Sequence, residues 1–142
     1  HYELDPEQVK RLGTGLWDDY GLATEPALDG AWFAASSPES RADFEKRYRN
    51  MYGSRAPRLA TLSYDATALA AVLARNGYYR TGRPSFDRDA LINANGFAGL
   101  DGIFRFRPDG MVERGLAVLE YKNGNITVID PPPKTFQRYG GM

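Results

Sequence analysis

Two helical patterns occupy the middle of the chain. After Ser36-Ser37-Pro38, apolar residues recur at helical spacing, and they are Phe44, Tyr48, Met51 and Tyr52. Both Ser36 and Ser37 fit the N-cap of this helix, and Gly53 ends it. The second pattern runs from Arg58 to Arg75 and is apolar nearly all round. We therefore expect the second helix to be packed on more than one side and to end at Asn76-Gly77.

Short apolar runs predict two strands in the first quarter of the chain. The segment from Leu12 to Trp17 alternates apolar and small residues and meets a polar loop at Asp18-Asp19, as a strand end does. The run from Gly30 to Ala35 is bounded by turn residues, which predicts a strand buried on both faces. Before these strands, an Asp N-cap followed by proline predicts a short helix over residues 5–11.

Turn residues predict two β-hairpins in the last third of the chain. A strand from Ile103 to Arg107 reaches the turn Pro108-Asp109-Gly110 and continues into a second strand. Asn123-Gly124 suits both φ > 0 positions of a type I′ turn, which would join strands 116–121 and 125–129. Pro131-Pro132-Pro133 then prevents a further central strand. Upstream of the hairpins, residues 78–85 are predicted to be a loop and residues 86–93 a short helix begun by Ser85.

The composition of the 142 residues narrows the possible functions. Hydrophobic residues make up 42% and charged residues 25%, as in globular proteins. Eighteen basic residues balance 18 acidic ones, so we expect no nucleic-acid partner. Cysteine is absent and His1 is the single histidine, which removes thiolate chemistry and histidine-based metal sites. We expect no metal, no cofactor and no catalytic residues, with carboxylate-only catalysis left as an alternative.

Three sequence motifs, in this order and spacing, resemble one known family of proteins. They are Tyr64-Asp65-Ala66 within the second helix, the run from Gly96 to Phe106, and Asp130-Pro131-Pro132 followed by Phe136. Together they resemble the last third of a type I periplasmic solute-binding protein of the leucine/isoleucine/valine-binding branch. Within that branch, the chain looks closest to the penicillin-binding protein activator-like subgroup of bacteria.

The resemblance implies an α/β fold of two lobes joined by three crossovers, of which this chain is the C-terminal part, ending in a β-hairpin. Residues 1–36 and 112–142 would form a portion of the second lobe, and residues 37–111 a portion of the first. The N-terminal part of the full protein would be missing. Because the chain would cross twice between lobes without most strands of either sheet, we expect exposed edge strands and association with the missing part or with a second copy.

The resemblance also implies a ligand site, since these proteins hold a small ligand in the cleft between their lobes. The residues that would face the ligand are Thr14, Gly15, Trp17 and Asp18. An indole beside a carboxylate could grip an amino group or an apolar side chain. The alternative is a core Trp17 beside a solvated Asp18. Ser36 and Ser37 would lie at a crossover that acts as a hinge.

Three further groups of polar residues have structural as well as functional readings. Asp65 lies in a nearly apolar helix, so its carboxylate must be paired, exposed or beside a polar cleft. We predict a structural role for it, with a bond to a neighbouring helix end or to an arginine. A second group consists of Arg105, Arg107 and Arg114. These arginines form either a basic patch or a solvated face paired with acidic residues. The third group consists of Tyr78, Tyr79 and Arg80. Their loop either binds a partner protein or packs on its own domain.

The function implied by the resemblance is non-enzymatic. The protein would be the periplasmic substrate-binding component of an ABC transporter and would recognise an amino acid or similar small molecule, with a membrane transporter as partner. The alternative is a protein-interaction module that activates a peptidoglycan synthase and binds no metabolite. Lipid anchoring, the ligand and the oligomeric state stay open.

Overall fold

The computed structural model describes residues 8–136 and has a mixed α/β architecture, as predicted. The helices are α1 (Pro38–Tyr52), α2 (Ala60–Thr81) and α3 (Arg88–Leu91), and three 3₁₀ helices span Gly15–Trp17, Leu22–Thr24 and Pro26–Leu28. The strands are β1 (Leu12–Gly13), β2 (Trp32–Ala35), β3 (Phe97–Gly99), β4 (Gly102–Phe106), β5 (Val112–Arg114), β6 (Ala117–Lys122) and β7 (Asn125–Asp130). Of the helix predicted over 5–11, residues 5–7 lie outside the described residues, and residues 8–11 are not helical.

The chain divides into two compact units. Among the described residues, the first unit contains residues 8–37 and Leu116–Pro132, and the second contains Pro38–Gly115 and residues 133–136. The chain therefore passes between the units after Ser37, after Gly115 and after Pro132, once more than the sequence predicts. The assignment of these units to the lobes of a larger protein stays a prediction.

The first unit is built on a four-stranded sheet in the order β1-β2-β6-β7. β1 pairs with β2 in parallel, and the other two pairs are antiparallel. Phe33 on β2 lies opposite Leu119 on β6, and these two side chains and Tyr121 are fully buried. Trp17, Leu22 and Leu28 from the 3₁₀ segments pack against the same face of the sheet. The core of this unit therefore lies between the sheet and the 3₁₀ segments.

β2 differs from the prediction of a strand buried on both faces. Phe33 and Ala35 are buried, whereas Trp32 and Ala34 are exposed. This alternation follows from the period of two along a strand, because only the face that carries Phe33 contacts the core of the unit. The prediction that both faces of β2 are buried is therefore wrong.

β1 is shorter than the predicted strand over residues 12–17. It ends at Gly13 because the next residue, Thr14, caps a 3₁₀ helix: the backbone N–H of Leu16 donates to Thr14 Oγ1 at 3.4 Å. The N–H of Trp17 then donates to the carbonyl of Thr14 at 2.9 Å. Trp17 consequently lies in a tight turn after the strand and not on the strand itself.

The second hairpin forms as predicted around Asn123-Gly124. Both residues have positive φ, 51° and 75°, which is the conformation of a type I′ turn. β6 and β7 pair antiparallel on either side of this turn, with one irregularity between Val118 and Leu119. The strongest local signal in the sequence therefore sets the register of the hairpin that closes the first unit.

The second unit packs α2 against a three-stranded antiparallel sheet in the order β3-β4-β5. One side of α2 is buried at every fourth residue, at Thr61, Asp65, Leu69, Leu73 and Gly77. Leu69 and Leu73 form a core cluster with Phe104 of β4. The flanking apolar residues of α2, including Leu62 and Val72, remain exposed within the described part of the chain. The prediction that α2 is packed on more than one side is therefore wrong for these residues.

α1 begins at Pro38, at the predicted start, but only part of its apolar stripe is buried. Phe44 is buried, and its ring contacts the rings of Tyr48 and Tyr64 at centroid distances of 6.0 and 5.4 Å. Met51 and Tyr52 are largely exposed, contrary to the expected continuous stripe. The last turn of α1 thus carries apolar surface that no described residue covers fully.

α2 continues past Asn76-Gly77, where the sequence predicts its end. The αL residue that ends the helix is Gly82, with φ of 74°, and Tyr78, Tyr79 and Arg80 lie on the last helical turns instead of in a loop. Gly77 has a different role, because a Cβ there would overlap the backbone N of Ser85. This glycine therefore lets the chain return closely against the helix. α3 is capped by Asp87 and not by Ser85.

A buried carboxylate joins three parts of the second unit. Asp65 is 4% exposed, and its Oδ1 accepts from the N–H of Leu100 at 2.7 Å. Its Oδ2 accepts from the N–H of Asp101 and from the guanidinium of Arg114, each at 3.4 Å. Arg114 also lies over the ring of Phe104 at 4.8 Å. Asp65 thus links α2 to the β3–β4 turn and to β5.

Replacing Asp65 with Asn should destabilise the protein strongly. The substitution removes the charge that compensates Arg114 and puts an amide donor among backbone donors, so we expect a loss of about 2–4 kcal/mol in the free energy of unfolding. The matched control is Asp109→Asn, which breaks an exposed ion pair to Arg107 and should cost less than about 1 kcal/mol. Urea unfolding of both variants measures the difference, and equal losses would contradict the role of Asp65.

Candidate functional site

The turn that follows β1 holds all four residues that the sequence predicts to bind a ligand. Trp17 is half-buried, and its indole lies directly on Gly13, since a Cβ at Gly13 would overlap the indole ring. Thr14 is exposed at the start of the turn, and Gly15 and Asp18 begin and follow the 3₁₀ helix. The structure therefore brings Thr14, Gly15, Trp17 and Asp18 together on one short segment.

Tyr121 fixes the position of Trp17 from β6. The Tyr121 hydroxyl donates a hydrogen bond to the backbone carbonyl of Trp17. The two rings are stacked, with centroids 6.3 Å apart and an angle of 26° between their planes. The Tyr121 ring also contacts the Phe33 ring, with centroids 4.8 Å apart. Trp17 thus packs on the core of the first unit, and Tyr121 holds both its ring and its backbone carbonyl.

The charges around this tyrosine come from the turn itself. Burial and the nearby carboxylates of Asp19 and Asp18 raise the pKa of Tyr121 above its ordinary value. The hydroxyl therefore stays protonated and keeps its role as the donor to Trp17. Asp19 also accepts from the N–H of Gly21 at 2.8 Å, which orders the chain after the turn.

The chemistry available at the turn suits a small organic molecule with an amino group. The partly exposed indole of Trp17 offers an apolar face, and the partly buried Asp18 places negative charge on the same segment. The Thr14 hydroxyl lies on the same segment and is exposed. Within residues 8–136, no group of three or more acidic or histidine side chains is arranged to hold a metal ion.

The other predicted residues lie apart from this turn in the sequence. Ser36 and Ser37 are buried, each 6% exposed, at the end of the first part of the first unit. Arg105 pairs with Glu113 at 2.6 Å and Arg107 with Asp109 at 2.7 Å, as the solvated-face alternative predicts. Arg114 differs, because it pairs with the buried Asp65. The hinge role of the two serines stays a prediction.

Sequence reasoning missed Tyr121 as the partner of Trp17. The signal was present in the alternation Ala117, Leu119, Tyr121 along the predicted strand, which points every second residue to one face. That pattern predicts burial of Tyr121 but not which aromatic ring it contacts. The contact depends on β6 pairing with β2, and the sequence separation between them is large.

Neither a protein-family profile nor a curated protein sequence matches the chain. Solved structures do match. A candidate branched-chain amino acid ABC transporter from Rhodospirillum rubrum superimposes with a TM-score of 0.69 and 23% identity, over 85% of this chain and 37% of that one. An extracellular ligand-binding receptor from Rhodopseudomonas palustris HaA2 superimposes with a TM-score of 0.57 and 20% identity, and the match covers 84% of this chain and 40% of that one. A solute-binding protein of an ABC transporter from R. palustris, solved in complex with benzoate, superimposes with a TM-score of 0.53 and 22% identity. That match covers 88% of this chain and 37% of the other.

These structures are type I periplasmic binding proteins. The chain has the type I periplasmic binding protein fold. The resemblance read from the sequence is therefore confirmed at the level of the fold. The chain spans 37–40% of the length of these three proteins, so the likeness concerns the fold of this part and not the activity of a whole protein. The subgroup read from the sequence stays a prediction.

Among residues 8–136, no helix has both the length and the apolar character needed to cross a bilayer.

Replacing Tyr121 with Phe should change how stability depends on pH. The folded state raises the pKa of Tyr121 above 10.0, so the protonated hydroxyl contributes stability below that pH, and the contribution is lost as pH rises through the folded pKa. We therefore expect the difference in unfolding free energy between the wild type and Tyr121→Phe to shrink above pH 10. Urea unfolding from pH 8 to pH 11 measures it. Tyr79→Phe removes an exposed hydroxyl as a control, and a difference that grows with pH would contradict the assignment.

Proposed function

We propose that this protein is the solute-binding component of a bacterial ABC transporter and acts in the periplasm on an amino acid or a similar small molecule. The ligand would contact Thr14, Gly15, Trp17 and Asp18. Binding would be non-enzymatic, because the site supplies recognition and no reacting group. The unit that holds these residues would belong to the second lobe of the binding protein, and the unit that holds α1 and α2 to the first.

The observation that carries this proposal is the placement of Trp17. An indole that only filled a core would be enclosed, but Trp17 is partly buried and keeps some exposed surface while its backbone carbonyl and ring are held by Tyr121. A ring held rigidly at a partly exposed position loses little conformational freedom when a ligand packs on it, which favours affinity. The adjacent Asp18 supplies the charge that an ammonium group requires.

The fold supports the same function. Similar structures include one protein described for branched-chain amino acid transport, and a branched-chain amino acid combines an ammonium group with an apolar side chain. An aromatic platform beside polar groups suits such molecules. We further propose that Ser36 and Ser37, next to the boundary between the two units, act as a hinge on binding.

A single-tryptophan variant tests the proposal directly. The protein has two tryptophans, Trp17 and Trp32, and both belong to the first unit. In Trp32→Phe, the fluorescence comes from Trp17 alone, so a saturating change on titration with a branched-chain amino acid, another amino acid or an aromatic carboxylate reports a ligand at Trp17. The same ligand should raise the melting temperature at concentrations well above Kd.

Trp17→Phe is the matched control, because it leaves Trp32 as the only fluorophore. Trp32 donates to Glu120 at 2.9 Å and lies under Lys10 at 4.6 Å, outside the proposed site. We expect this variant to fold but to show a much smaller response. If a broad set of amino acids, amides and short peptides shifts neither fluorescence nor melting temperature, while a cell-wall synthase is recovered in a pull-down, the transport proposal fails. The activation of a peptidoglycan synthase would then be the better reading.

A further inference from the structure

A cavity in the second unit lies outside every site described above. Its volume is about 610 Å³, within the range of about 300–1,000 Å³ that is typical of small-molecule sites. It is bounded by the last turns of α2, by α3 and by the start of β3, with Leu73, Gly77, Ala90, Ile92 and Phe97 among its apolar lining. All of these residues belong to one unit, so the cavity does not depend on the position of the other.

Gly77 helps to form this cavity. The chain after α2 returns so closely that a Cβ at Gly77 would overlap Ser85, and Ser85 therefore lies against the helix. The hydroxyl of Thr81 lies within hydrogen-bonding distance of the carbonyls of Gly77 and Arg83, at 3.0 and 3.2 Å, which orders the same return. The floor beside Leu73 and Gly77 is buried, whereas the rim is open to solvent. A ligand could therefore enter without any change in the packing of the unit.

The rim carries one cation and two carboxylates, so its net charge is 1 − 2 = −1. The Asp87 carboxylate is already engaged, since it accepts from Ser85 Oγ and from the N–H of Ala90, and these bonds lower its pKa. The positive charge of Arg80 also lowers the pKa of Asp87, whereas the side chain of Asp89 is exposed and takes part in none of these contacts. Asp89 is therefore the carboxylate that remains available to a ligand.

We propose that this cavity binds a small amine with an apolar body. The ammonium group would donate to Asp89 and lie in the negative field of Asp87, while the apolar part would pack on Leu73, Ile92 and Phe97. A carboxylate in the same position would meet two negative charges and only Arg80 as a counter-charge. The sign of the rim charge therefore makes the site selective for cations over anions of the same shape.

A pair of probes of similar shape and opposite charge tests this selectivity. We would titrate the protein with 2-phenylethylamine and with 3-phenylpropionate and follow backbone amide shifts by nuclear magnetic resonance. The amine should give saturable shifts at Gly77, Ala90 and Asn93, and the acid should bind severalfold more weakly, because Asp89 is exposed and water screens its charge. Equal binding of the two probes, or no saturable binding of the amine, would overturn the proposal.

Two substitutions of exposed residues at the rim should change the affinity for the amine in opposite directions. Asp89→Asn should weaken amine binding severalfold, and Arg80→Gln should strengthen it, because it removes the competing cation. Asp43→Asn changes the net charge equally on exposed α1 and should leave affinity unchanged. Binding that Asp89→Asn does not weaken would overturn the assignment. Trp17→Ala should retain the amine site, which separates this result from the transport proposal.

Discussion

The second unit depends on one constraint, which is that the Asp65 carboxylate is ionisable, buried and surrounded by donors. An uncompensated charge in that position would be costly, so Leu100, Asp101 and Arg114 have to lie where the structure places them. Gly99 has no side chain for the same reason, since a Cβ there would overlap Asp65. Packing of Leu69 and Leu73 on Phe104 then follows on the same face of α2. The motif Tyr64-Asp65-Ala66 is therefore a structural signature, and the prediction of a structural partner for Asp65 agrees with these bonds.

In the first unit, a buried neutral hydroxyl has a role similar to that of the Asp65 carboxylate. Tyr121 is buried in the sheet, and its hydroxyl finds its partner in the carbonyl of Trp17. That bond sets the turn after β1 against the sheet and leaves one part of the indole accessible. A buried polar group that needs a partner thus decides the local structure in both units. In the first unit, the same requirement positions the residue on which the proposed function depends.

Turn chemistry was the part of the structure that the sequence predicted best. Asn123-Gly124 and Pro38 act locally, so neither the hairpin nor the start of α1 required knowledge of distant contacts. The errors occurred where distant contacts decide. Gly77 looks like a helix end, but it serves the approach of Ser85, and Trp17 looks like a strand residue, but it follows the cap formed by Thr14. The same limit explains why Tyr121 was missed at the candidate site.

The central claim is that a ligand packs on the Trp17 indole with its polar end near Asp18. A crystal structure of the protein grown with the molecule that most raises its melting temperature tests this claim most directly. We expect electron density for that molecule in contact with the Trp17 ring and within hydrogen-bonding distance of the Asp18 carboxylate. A bound molecule located elsewhere, with Trp17 in contact only with Gly13 and Tyr121, would contradict it.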